Sequence, residues 1–504
     1  MITWCLASDS TRSKATREKE TQPRLTGANG LARDDRLGAV MYFEQFYLGC
    51  LAHASYMMGS EGEAVIVDPQ RDVDEYLYAA DQHGLRIQHI FETHLHADFV
   101  SGHKELASRT GARIYIGQGA GATFPHVRVQ DGFNLQFGRC QLSVLETPGH
   151  TPESLCLVVT DLEKSAKPWA VLTGDTLFIG DVGRPDLSKT HTPEQLAALL
   201  YDSLHNKLMR LPDDVLVFPA HGAGSLCGRN MRAERSSTIG TERRTNYALQ
   251  IGTRDEFVRQ MVSNLPARPE YFAQDAEINR GGAGALGELP PLSPIAAPAL
   301  KTMIAQALPA LDVRPPDEFA EGHVPGSINI GLSGQFASWA ASLLGLKSRP
   351  VLIADTQERL EEARMRLARV GIEDLMGYLE EGLLGWKNSG YQSATLPQMT
   401  VETLKDRLSR RDVDVLDVRR EGEWQAGHLK SAQLWPLDQF RRALPPLEPS
   451  ASIAVHCKSG YRSTIACSLL MRAGYRDVSN VIGGFDAWDA AKLPSVKAEV
   501  SSSP

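Results

Sequence analysis

The sequence contains no run of about 18 apolar residues, so it offers no candidate for a membrane-spanning helix. It also lacks an excess of positive charge, because 53 lysines and arginines face 61 aspartates and glutamates and the formal net charge is −8. That balance excludes the basic footprint of a nucleic-acid binder and a polybasic membrane signal. Cysteine is scarce: the seven residues are scattered, and an odd number argues against a disulfide framework. We therefore expect a cytoplasmic protein without nucleic-acid or membrane partners.

The first forty residues lack the apolar core of a secretory signal and show no hydrophobic periodicity. Two interpretations fit their mixture of basic and acidic residues. Either residues 1–40 are a disordered tail, or translation starts at Met41, where the first strand-like run begins. Residues 496–504, which end in Ser-Ser-Ser-Pro, are predicted to be a frayed tail.

Four apolar runs in the N-terminal half each end in candidate metal ligands. Each run has the composition of a buried strand, and ligands at the carboxyl ends of strands lie in the crevice of an α/β fold. One such pattern arises readily by chance, whereas four in this order do not. The candidates are His94, His96 and Asp98 after 87–91, His150 after 142–146, Asp175 after 169–172, and His221 after 215–218.

The order of these ligands resembles that of the metallo-β-lactamase superfamily. The resemblance implies an α/β fold, an αββα sandwich over residues 41–281, with the metal at the sheet edges. A Gly/Pro-rich linker is predicted to follow at 282–298. Apolar spacing predicts helices over 74–83, 103–110, 192–209 and 255–264.

An internal repeat fills the C-terminal half. Leu311–His323 recurs as Leu416–His428, and Gly382–Trp386 recurs as Gly484–Trp488, each about one hundred residues later. With its Asp-Val-Arg and Gly-His segments, the repeat resembles the rhodanese (sulfurtransferase) family. We therefore expect two small α/β rhodanese domains, over 299–393 and 397–495.

The second copy carries a cysteine between a predicted strand and a predicted helix, in Cys457–Ser463. A cysteine at a helix N-terminus meets inward N–H groups and the positive end of the dipole, which favours a nucleophilic thiolate. A packing role, which we assign to Cys467, fits this context less well. Phosphatases related to this fold also combine a cysteine with an arginine, but their loop is longer than the six-residue loop from Cys457 to Arg462, so sulfur transfer is favoured. The resemblance implies that Cys457 and Arg462 are catalytic and that the substrate-binding residues are Lys458, Ser459, Gly460 and Tyr461.

The first copy has Asp355 at the position that matches Cys457. A carboxylate there would repel an anionic sulfur donor, so this copy is predicted to be inactive and to serve packing or positioning. A further hypothesis assigns both copies a non-enzymatic role, as a sulfur relay or docking module.

The sixth position of the first ligand motif bears on the metal. Binuclear zinc hydrolases have histidine there, whereas this sequence has Phe99. The remaining site has two histidines and one carboxylate, an arrangement that marks mononuclear Fe(II) enzymes that activate O2: His94, His150 and Asp175. Three further residues are expected to orient these ligands by hydrogen bonds or to serve a second metal: His96, Asp98 and His221.

Within the superfamily, Thr93–Phe99 and Gly183–Asp186 resemble the persulfide dioxygenase (sulfur dioxygenase) branch. The resemblance implies one Fe(II) per chain and oxidation of a low-molecular-weight thiol persulfide, such as glutathione persulfide, by O2 to sulfite and thiol. Cys457 would exchange sulfane sulfur with sulfite or a thiol, which forms or uses thiosulfate. Arg184 is implied to shape the substrate site, and a surface salt bridge is its other interpretation.

A zinc-dependent thioester hydrolase of the glyoxalase II kind, with appended rhodanese relay domains, is the alternative. His221 and the wider superfamily resemblance keep it open. Superfamily relatives are often dimers, which implies a homodimer by analogy.

Overall fold

The computed structural model describes residues 41–263, 265 and 267–497. The interpretations of residues 1–40, and of the tail beyond residue 497, lie outside these ranges. In the described part of the chain, the strands form four sheets, two in the N-terminal half and one in each repeat unit. The mixed α/β fold class predicted from the sequence is confirmed.

Two six-stranded sheets build the N-terminal unit, and each keeps its strands in consecutive order. The first sheet contains β1 (Tyr42–Leu48), β2 (His53–Ser60), β3 (Glu63–Val67), β4 (Arg86–Phe91), β5 (Arg113–Gly117) and β6 (Val127–Val129). The second contains β7 (Asn134–Phe137), β8 (Cys140–Glu146), β9 (Leu155–Asp161), β10 (Ala170–Gly174), β11 (Leu216–Pro219) and β12 (Ser237–Thr238). β10 and β11 pair in parallel, so both point their carboxyl ends toward the same edge.

Helices cover the outer faces of both sheets. They are α1 (Asp74–Gln82), α2 (His103–Thr110), α3 (Pro193–Asn206), α4 (Ile239–Thr245) and α5 (Arg254–Val262). A further helix, α6 (Phe272–Gly281), contributes Phe272 to a core shared with the repeat units. The four helices predicted from apolar spacing are confirmed as α1, α2, α3 and α5: α2 has the predicted ends, and the ends of the others differ by at most three residues. The start of α3 shows why: the Thr192 hydroxyl accepts from the Gln195 N–H, and Pro193 has the fixed φ of a first turn.

Three separate cores make this unit the αββα sandwich expected. Met58 and Val65 of the first sheet pack against Leu142 and Leu157 of the second, between the sheets. On the outer face of the first sheet, Ile66 packs with residues of α1 and α2. On the outer face of the second, Val171 packs with residues of α3 and α5. Burial of these faces supplies the main driving force for the sandwich.

Each repeat unit contains a five-stranded, wholly parallel sheet with the same strand order. The first unit contains β13 (Pro294–Ile295), α7 (Ala297–Ala305), β14 (Ala310–Asp312), α8 (Pro316–Glu321), β15 (Ile328–Asn329), α9 (Phe336–Leu344), β16 (Val351–Ile353), α10 (Gln357–Ala368), β17 (Gly377–Leu379) and α11 (Gly382–Asn388). The second contains β18 (Gln398–Met399), α12 (Val401–Arg410), β19 (Asp414–Asp417), α13 (Glu421–Ala426), β20 (Ala432–Leu434), β21 (Ser452–His456), α14 (Tyr461–Arg472), β22 (Asp477–Val481) and α15 (Gly484–Ala490).

The expected linker at 282–298 is shorter than predicted. Ile295 pairs in parallel with Leu379, so β13 already belongs to the first repeat sheet, ahead of the expected start at residue 299. Gly284 is also fixed, because its carbonyl accepts a 2.7 Å hydrogen bond from the buried guanidinium of Arg71. The Gly/Pro composition indicated a connection but carried no information about this pairing.

Ion pairs hold the three units together. Arg369 of the first repeat unit lies 2.6 Å from Asp72, and Arg71 lies 2.8 Å from Glu373. Arg442 of the second repeat unit contacts Glu270 at 2.9 Å. The edge of the sandwich that carries the ligand motifs therefore faces the repeat units. None of the helices described has both the length and the apolar character needed to cross a bilayer.

Candidate functional site

The strand-end residues singled out in the sequence converge at one edge of the sandwich. The loop after β4 supplies the first motif, the loop after β8 supplies His150, and Asp175 and His221 follow the parallel strands β10 and β11. Because these strands end at the same edge, residues up to about 130 positions apart in the chain come into contact.

His94, His150 and Asp175 form a compact group of candidate metal ligands. Nε2 of His94 lies 3.8 Å, and Nε2 of His150 lies 3.3 Å, from Oδ2 of Asp175. These three atoms are buried and lack any hydrogen-bond partner among the described residues. Buried polar atoms without partners are costly unless something satisfies them, so the group fits a bound metal ion.

The outer nitrogens of both histidines are already engaged. Nδ1 of His94 lies 3.0 Å from the Thr93 hydroxyl, and Nδ1 of His150 lies 2.9 Å from the Arg184 carbonyl oxygen. A carbonyl oxygen can only accept, so Nδ1 of His150 carries the proton and its Nε2 lone pair faces the centre. Such contacts fix the ring orientation and the tautomer of metal-binding histidines.

The charge states of the group also suit a metal ion. Burial lowers the pKa of His94 well below its ordinary value, and burial likewise lowers the pKa of His150. Burial would raise the pKa of Asp175, but His221 and the other histidines hold that pKa well below its usual range. Two neutral imidazoles and one carboxylate are the protonation states that metal binding needs.

His221 connects two carboxylates. Nδ1 lies 2.7 Å from Oδ1 of Asp175, and Nε2 lies 2.9 Å from Oδ2 of Asp98. Burial lowers the pKa of His221, but the two carboxylates outweigh it and raise that pKa well above its ordinary value. Nδ1 is thus engaged by Asp175, whereas Nε2 is close to Asp98 but has no hydrogen-bond partner among the described residues. His221 has the geometry of a residue that orients Asp175.

His96 turns away from the ligand group and contacts a separate buried acidic pair. Its Nε2 lies 3.2 Å from Oδ1 of Asp68 and 3.6 Å from Oδ2 of Glu92. Asp68 also accepts hydrogen bonds from the backbone and the hydroxyl of Thr93, next to His94. His96 therefore supports the ligand-bearing loop through Asp68, which binds Thr93 next to His94.

Phe99 occupies the sixth position of the motif as a buried ring. Its centroid lies 4.0 Å from that of His53 and 4.4 Å from that of His96. The phenyl ring fills the space beside Asp98 and His221 with hydrocarbon and offers no ligand atom.

Cys457 follows β21 and lies in a loop that runs into α14, as the sequence predicted. The thiol is 1% exposed, and its sulfur accepts a 3.1 Å hydrogen bond from the Gly460 N–H. The Ser463 hydroxyl lies 3.5 Å from the same sulfur. Lys458 and Ser459 are exposed on the rim of this loop. The sulfur is thus held at a helix N-terminus, where N–H groups favour an anion.

Arg462 forms a two-pronged ion pair that sequence reasoning missed. Its Nη1 and Nη2 lie 2.6 and 2.7 Å from the two carboxylate oxygens of Glu423. Burial would raise the pKa of Glu423, but the hydrogen bonds and charge of Arg462 lower it to about 2. Part of the positive charge expected near Cys457 is therefore neutralised.

Comparison with known proteins agrees with this geometry. The metallo-beta-lactamase superfamily profile matches residues 48–221, and the rhodanese-like domain profile matches residues 296–389 and 400–491. The persulfide dioxygenase ETHE1, mitochondrial, of Bos taurus is 32% identical over 254 residues, which cover 48% of this chain and 90% of that relative. The chain belongs to the persulfide dioxygenase branch of the metallo-beta-lactamase superfamily and carries two rhodanese-like domains.

Two further comparisons bear on the assignment to this branch. A crystal structure of a metallo-beta-lactamase from Staphylococcus aureus subsp. aureus COL is 33% identical, with a TM-score of 0.61, and covers 67% of this chain and 98% of that chain. A hydroxyacylglutathione hydrolase of Polaromonas sp. is 33% identical over 163 residues, which cover 32% of this chain and 57% of that relative. The first comparison extends beyond the length of the metallo-beta-lactamase unit.

Arg184, which persulfide dioxygenase resemblance placed at the substrate site, is 5% exposed. Its Nε and Nη2 donate to the two carboxylate oxygens of Asp186 at 2.7 and 2.9 Å, and Nη1 donates to the Leu226 carbonyl. Arg184 thus forms a salt bridge in which the guanidinium is buried and the Asp186 carboxylate is partly exposed, and the Arg184 carbonyl oxygen contacts His150. Arg184 ties the loops after β10 and β11 together.

The first rhodanese-like domain keeps the framework of the second without its thiol. The buried pair Asp312–Arg314 matches Asp417–Arg419. Asp355 stands at the sequence position of Cys457; its side chain is 44% exposed and pairs with Arg359, which also pairs with Glu318. This geometry gives no support to a nucleophile in this copy.

Several site residues escaped sequence reasoning. Asn279 of α6 is buried, donates to the carbonyls of His96 and Phe99, and so secures the ligand loop across the chain. His53 lies at the start of β2, 5.5 Å from His221 between ring centroids. Of these residues, Asp68 is the one that the sequence pattern could have predicted, because it follows an apolar strand as the predicted ligands do.

Proposed function

We propose that the chain is a non-haem Fe(II) persulfide dioxygenase whose product sulfite meets a sulfane sulfur carried by Cys457. The oxidation balances as RSSH + O2 + H2O → RSH + SO3²⁻ + 2H⁺. The relatives named persulfide dioxygenase support this activity. Residues expected to hold one Fe(II) are His94, His150 and Asp175.

The observation that carries the proposal is the combination of this ligand group with Phe99. Three buried, unpartnered ligand atoms converge, and the next position in the motif is a phenyl ring rather than a second set of ligands. Fe(II) held by these residues would supply the redox chemistry that activates O2. His221 keeps Asp175 ionised and oriented, and the two ligand histidines also lower its pKa.

The surroundings of the three ligand residues exclude bulk water, which favours oxidation of the bound persulfide over escape of reactive oxygen intermediates. The side chains of His94, His150 and Asp175 are 0 to 1% exposed, so bulk water is kept away from the centre. Arg184 and Asp186 hold the adjacent loop by two hydrogen bonds, which fixes the wall beside His150.

Cys457 would carry the second sulfur. Its persulfide transfers the outer sulfur to sulfite: Cys–S–S⁻ + SO3²⁻ → Cys–S⁻ + S2O3²⁻. The sulfur–sulfur bond of the persulfide breaks, and a new bond to sulfite forms. The Gly460 N–H, 3.1 Å from the thiol sulfur, stabilises the thiolate that leaves. The reverse reaction would use thiosulfate.

A zinc-dependent thioester hydrolase is the second candidate. The similarity to a hydroxyacylglutathione hydrolase favours it, and so does a second group of buried ligand types, Asp98, His221 and Cys227. Nδ1 of His221 is already engaged by Asp175, however, and Phe99 stands where the two-metal motif has a histidine. The dioxygenase is therefore preferred.

Oxygen uptake by anaerobically purified, Fe(II)-loaded protein on addition of glutathione persulfide tests the proposal. Rapid uptake is expected, is lost in His94→Ala, and is kept in the control His83→Ala, an exposed histidine. In Cys457→Ser the product should shift from thiosulfate to sulfite, while Cys467→Ala, on the helix that follows the Cys457 loop, should not shift it. Absence of uptake with iron bound, together with thioester hydrolysis by the zinc-loaded protein, would favour the second candidate.

The remaining parts of the proposal concern location and assembly. The six cysteines in the described residues are free, which supports a reducing compartment such as the cytoplasm. The partners proposed are a small thiol persulfide, O2, and sulfite or thiosulfate. A homodimer stays a prediction from the superfamily analogy.

A further inference from the structure

A small cavity lies at the seam between the N-terminal unit and the first rhodanese-like domain, and its inner end is at Asp98, which His221 separates from Asp175 of the metal group. It is lined by Asp98, the 224–226 loop and Tyr271 on one side, and by Gln335 and Ser338 of the first rhodanese-like domain on the other. Its volume is about 10 Å³, room for roughly one water molecule. The cavity runs from buried Asp98 to the exposed backbone of Gly224.

The inner end of this cavity contains a carboxylate oxygen of Asp98 that has no hydrogen-bond partner among the described residues. Oδ2 of Asp98 contacts His221, whereas Oδ1 is buried and has no hydrogen-bond partner among the described residues. Asp98 is 5% exposed, and through His221 it is one residue removed from Asp175. A buried carboxylate oxygen without a partner indicates that solvent or a polar ligand reaches this position.

The outer end is closed by one hydrogen bond across the seam. Nε2 of Gln335 donates to the Gly224 carbonyl at 2.7 Å. Behind Gln335, Arg366 donates to the carbonyls of Leu332 and, at 2.9 Å, of Gly334. The segment Gly331–Gln335, which we call the seam loop, is therefore fastened to both units.

The seam loop also contacts the sulfur-carrying loop. The Tyr461 hydroxyl donates to the Gly331 carbonyl at 2.8 Å, and Tyr461 directly follows Gly460, whose N–H contacts the Cys457 sulfur. One short segment of the copy without a cysteine thus lies between the two candidate sites. This placement gives that copy a role that the loss of its nucleophile does not remove.

We propose that Gln335 and Ser338 of the first rhodanese-like domain form the entrance to the metal group, and that the seam loop opens to admit the persulfide. The identity of the entering substrate rests on the proposed function, but the position of the entrance does not. A cavity with room for one water cannot pass a thiol persulfide, so the hydrogen bond from Gln335 to Gly224 has to break during entry. The size of the opening then selects among thiol carriers.

Cys227 offers a readout that is independent of catalysis. Its thiol is 1% exposed, and its sulfur lies within 4.8 Å of ligand atoms of Asp98 and His221. In the full-length, iron-loaded protein, we would measure alkylation of Cys227 by iodoacetamide with peptide mass spectrometry. Cys156, which is 0% exposed in the interior of the second sheet, reports general loosening in the same sample.

Gln335→Ala is expected to raise the alkylation rate of Cys227 at least threefold and to leave that of Cys156 unchanged. The matched control is Gln357→Ala, an exposed glutamine of the same domain whose side-chain amide donates to Glu361. An unchanged rate at Cys227, or an equal rise at Cys156, would overturn the entrance. This result is obtained even if the protein oxidises no persulfide.

Ser338→Phe tests the same entrance by filling it, because Ser338 lines the cavity together with Tyr271. The KM for glutathione persulfide in oxygen uptake should rise at least tenfold, with sulfur transfer from thiosulfate to cyanide through Cys457 within twofold of the original. An unchanged KM would contradict the entrance. Loss of both activities would show that Ser338→Phe misfolds. The alkylation rates of Gln335→Ala would then decide whether the entrance lies at this position.

Discussion

Nδ1 of His221 lies 2.7 Å from Oδ1 of Asp175, the carboxylate whose other oxygen faces the two ligand histidines. This contact fixes the direction of Oδ2 without placing His221 on the metal. In the one-metal interpretation, His221 is the hydrogen-bond partner of a metal ligand, Asp175. In the two-metal interpretation, His221 is itself a ligand.

His221→Asn should therefore weaken Fe(II) binding by roughly 10- to 100-fold without changing the stoichiometry of one metal per chain. The reason is that Asp175 loses the partner that orients it. Chelator competition and metal analysis measure affinity and stoichiometry, and His205→Asn, a half-buried histidine of α3, serves as control. Two metals in the original protein and one in the variant would instead make His221 a ligand.

Gly484→Ala should disrupt the sulfur-carrying loop. A Cβ at Gly484 would lie 2.4 Å from the Cys457 carbonyl oxygen, and its φ of +55° already disfavours other residues. We expect sulfur transfer through Cys457 to fall on the order of 10- to 100-fold, because the thiol is displaced. Gly382→Ala is the matched control, with the same φ and a similar conflict, 2.2 Å from the Ala354 carbonyl oxygen of the copy without cysteine. Equal activity in both variants would contradict the prediction.

Glu423→Gln should make Cys457 more reactive. In the original protein Glu423 neutralises Arg462 through two short hydrogen bonds. Removal of the carboxylate charge leaves the guanidinium free to stabilise the thiolate. The rate of Cys457 alkylation at neutral pH should rise severalfold, and Glu421→Gln, at the exposed start of α13, should leave it unchanged. A slower reaction would mean that Glu423 positions Arg462 rather than masks it.

The first rhodanese-like domain should lose stability as the pH falls from about 6.5 to about 4. Burial lowers the pKa of His323 to about 4, although its hydrogen bond to the Phe319 carbonyl raises it. An unfolded histidine titrates near about 6.5, so the unfolded chain binds more protons in this window and gains from acidification. The stabilising contribution is complete above about pH 6.5.

Limited proteolysis at pH 7.5 and pH 5 measures this effect. Cleavage within residues 296–389 should increase at pH 5, and His323→Gln should reduce that increase. His83→Gln, at an exposed position, should behave like the original protein. An increase of the same size in His323→Gln would assign the pH dependence to other groups.

Local patterns accounted for much of the fold. The helices at α1 and α2 were predicted almost to the residue, because apolar spacing and turn residues act over a few positions. The repeat units were predicted because Asp-Val-Arg and Gly-His segments recur in register, and both sheets show the same strand order. The start of β13 was missed, because it depends on pairing with β17 more than eighty residues away.

The ligand candidates followed from sequence because strand ends in an α/β fold meet at one edge, so His94, His150 and Asp175 needed no coordinates to be grouped. Their distances, their unpartnered atoms and the engagement of His221 by Asp98 came only from the tertiary structure. Those features depend on the packing of loops that are distant in the chain.

By itself, then, the sequence determined the order of the units, the ligand types and the loss of the cysteine at Asp355, since these are properties of residue identity and local spacing. Only the tertiary structure decided that Glu423 pairs with Arg462 and that Gln335 closes a cavity beside Asp98. Each contact joins two segments of the chain that no sequence periodicity relates. Burial and the geometry of the domain seam bring them together.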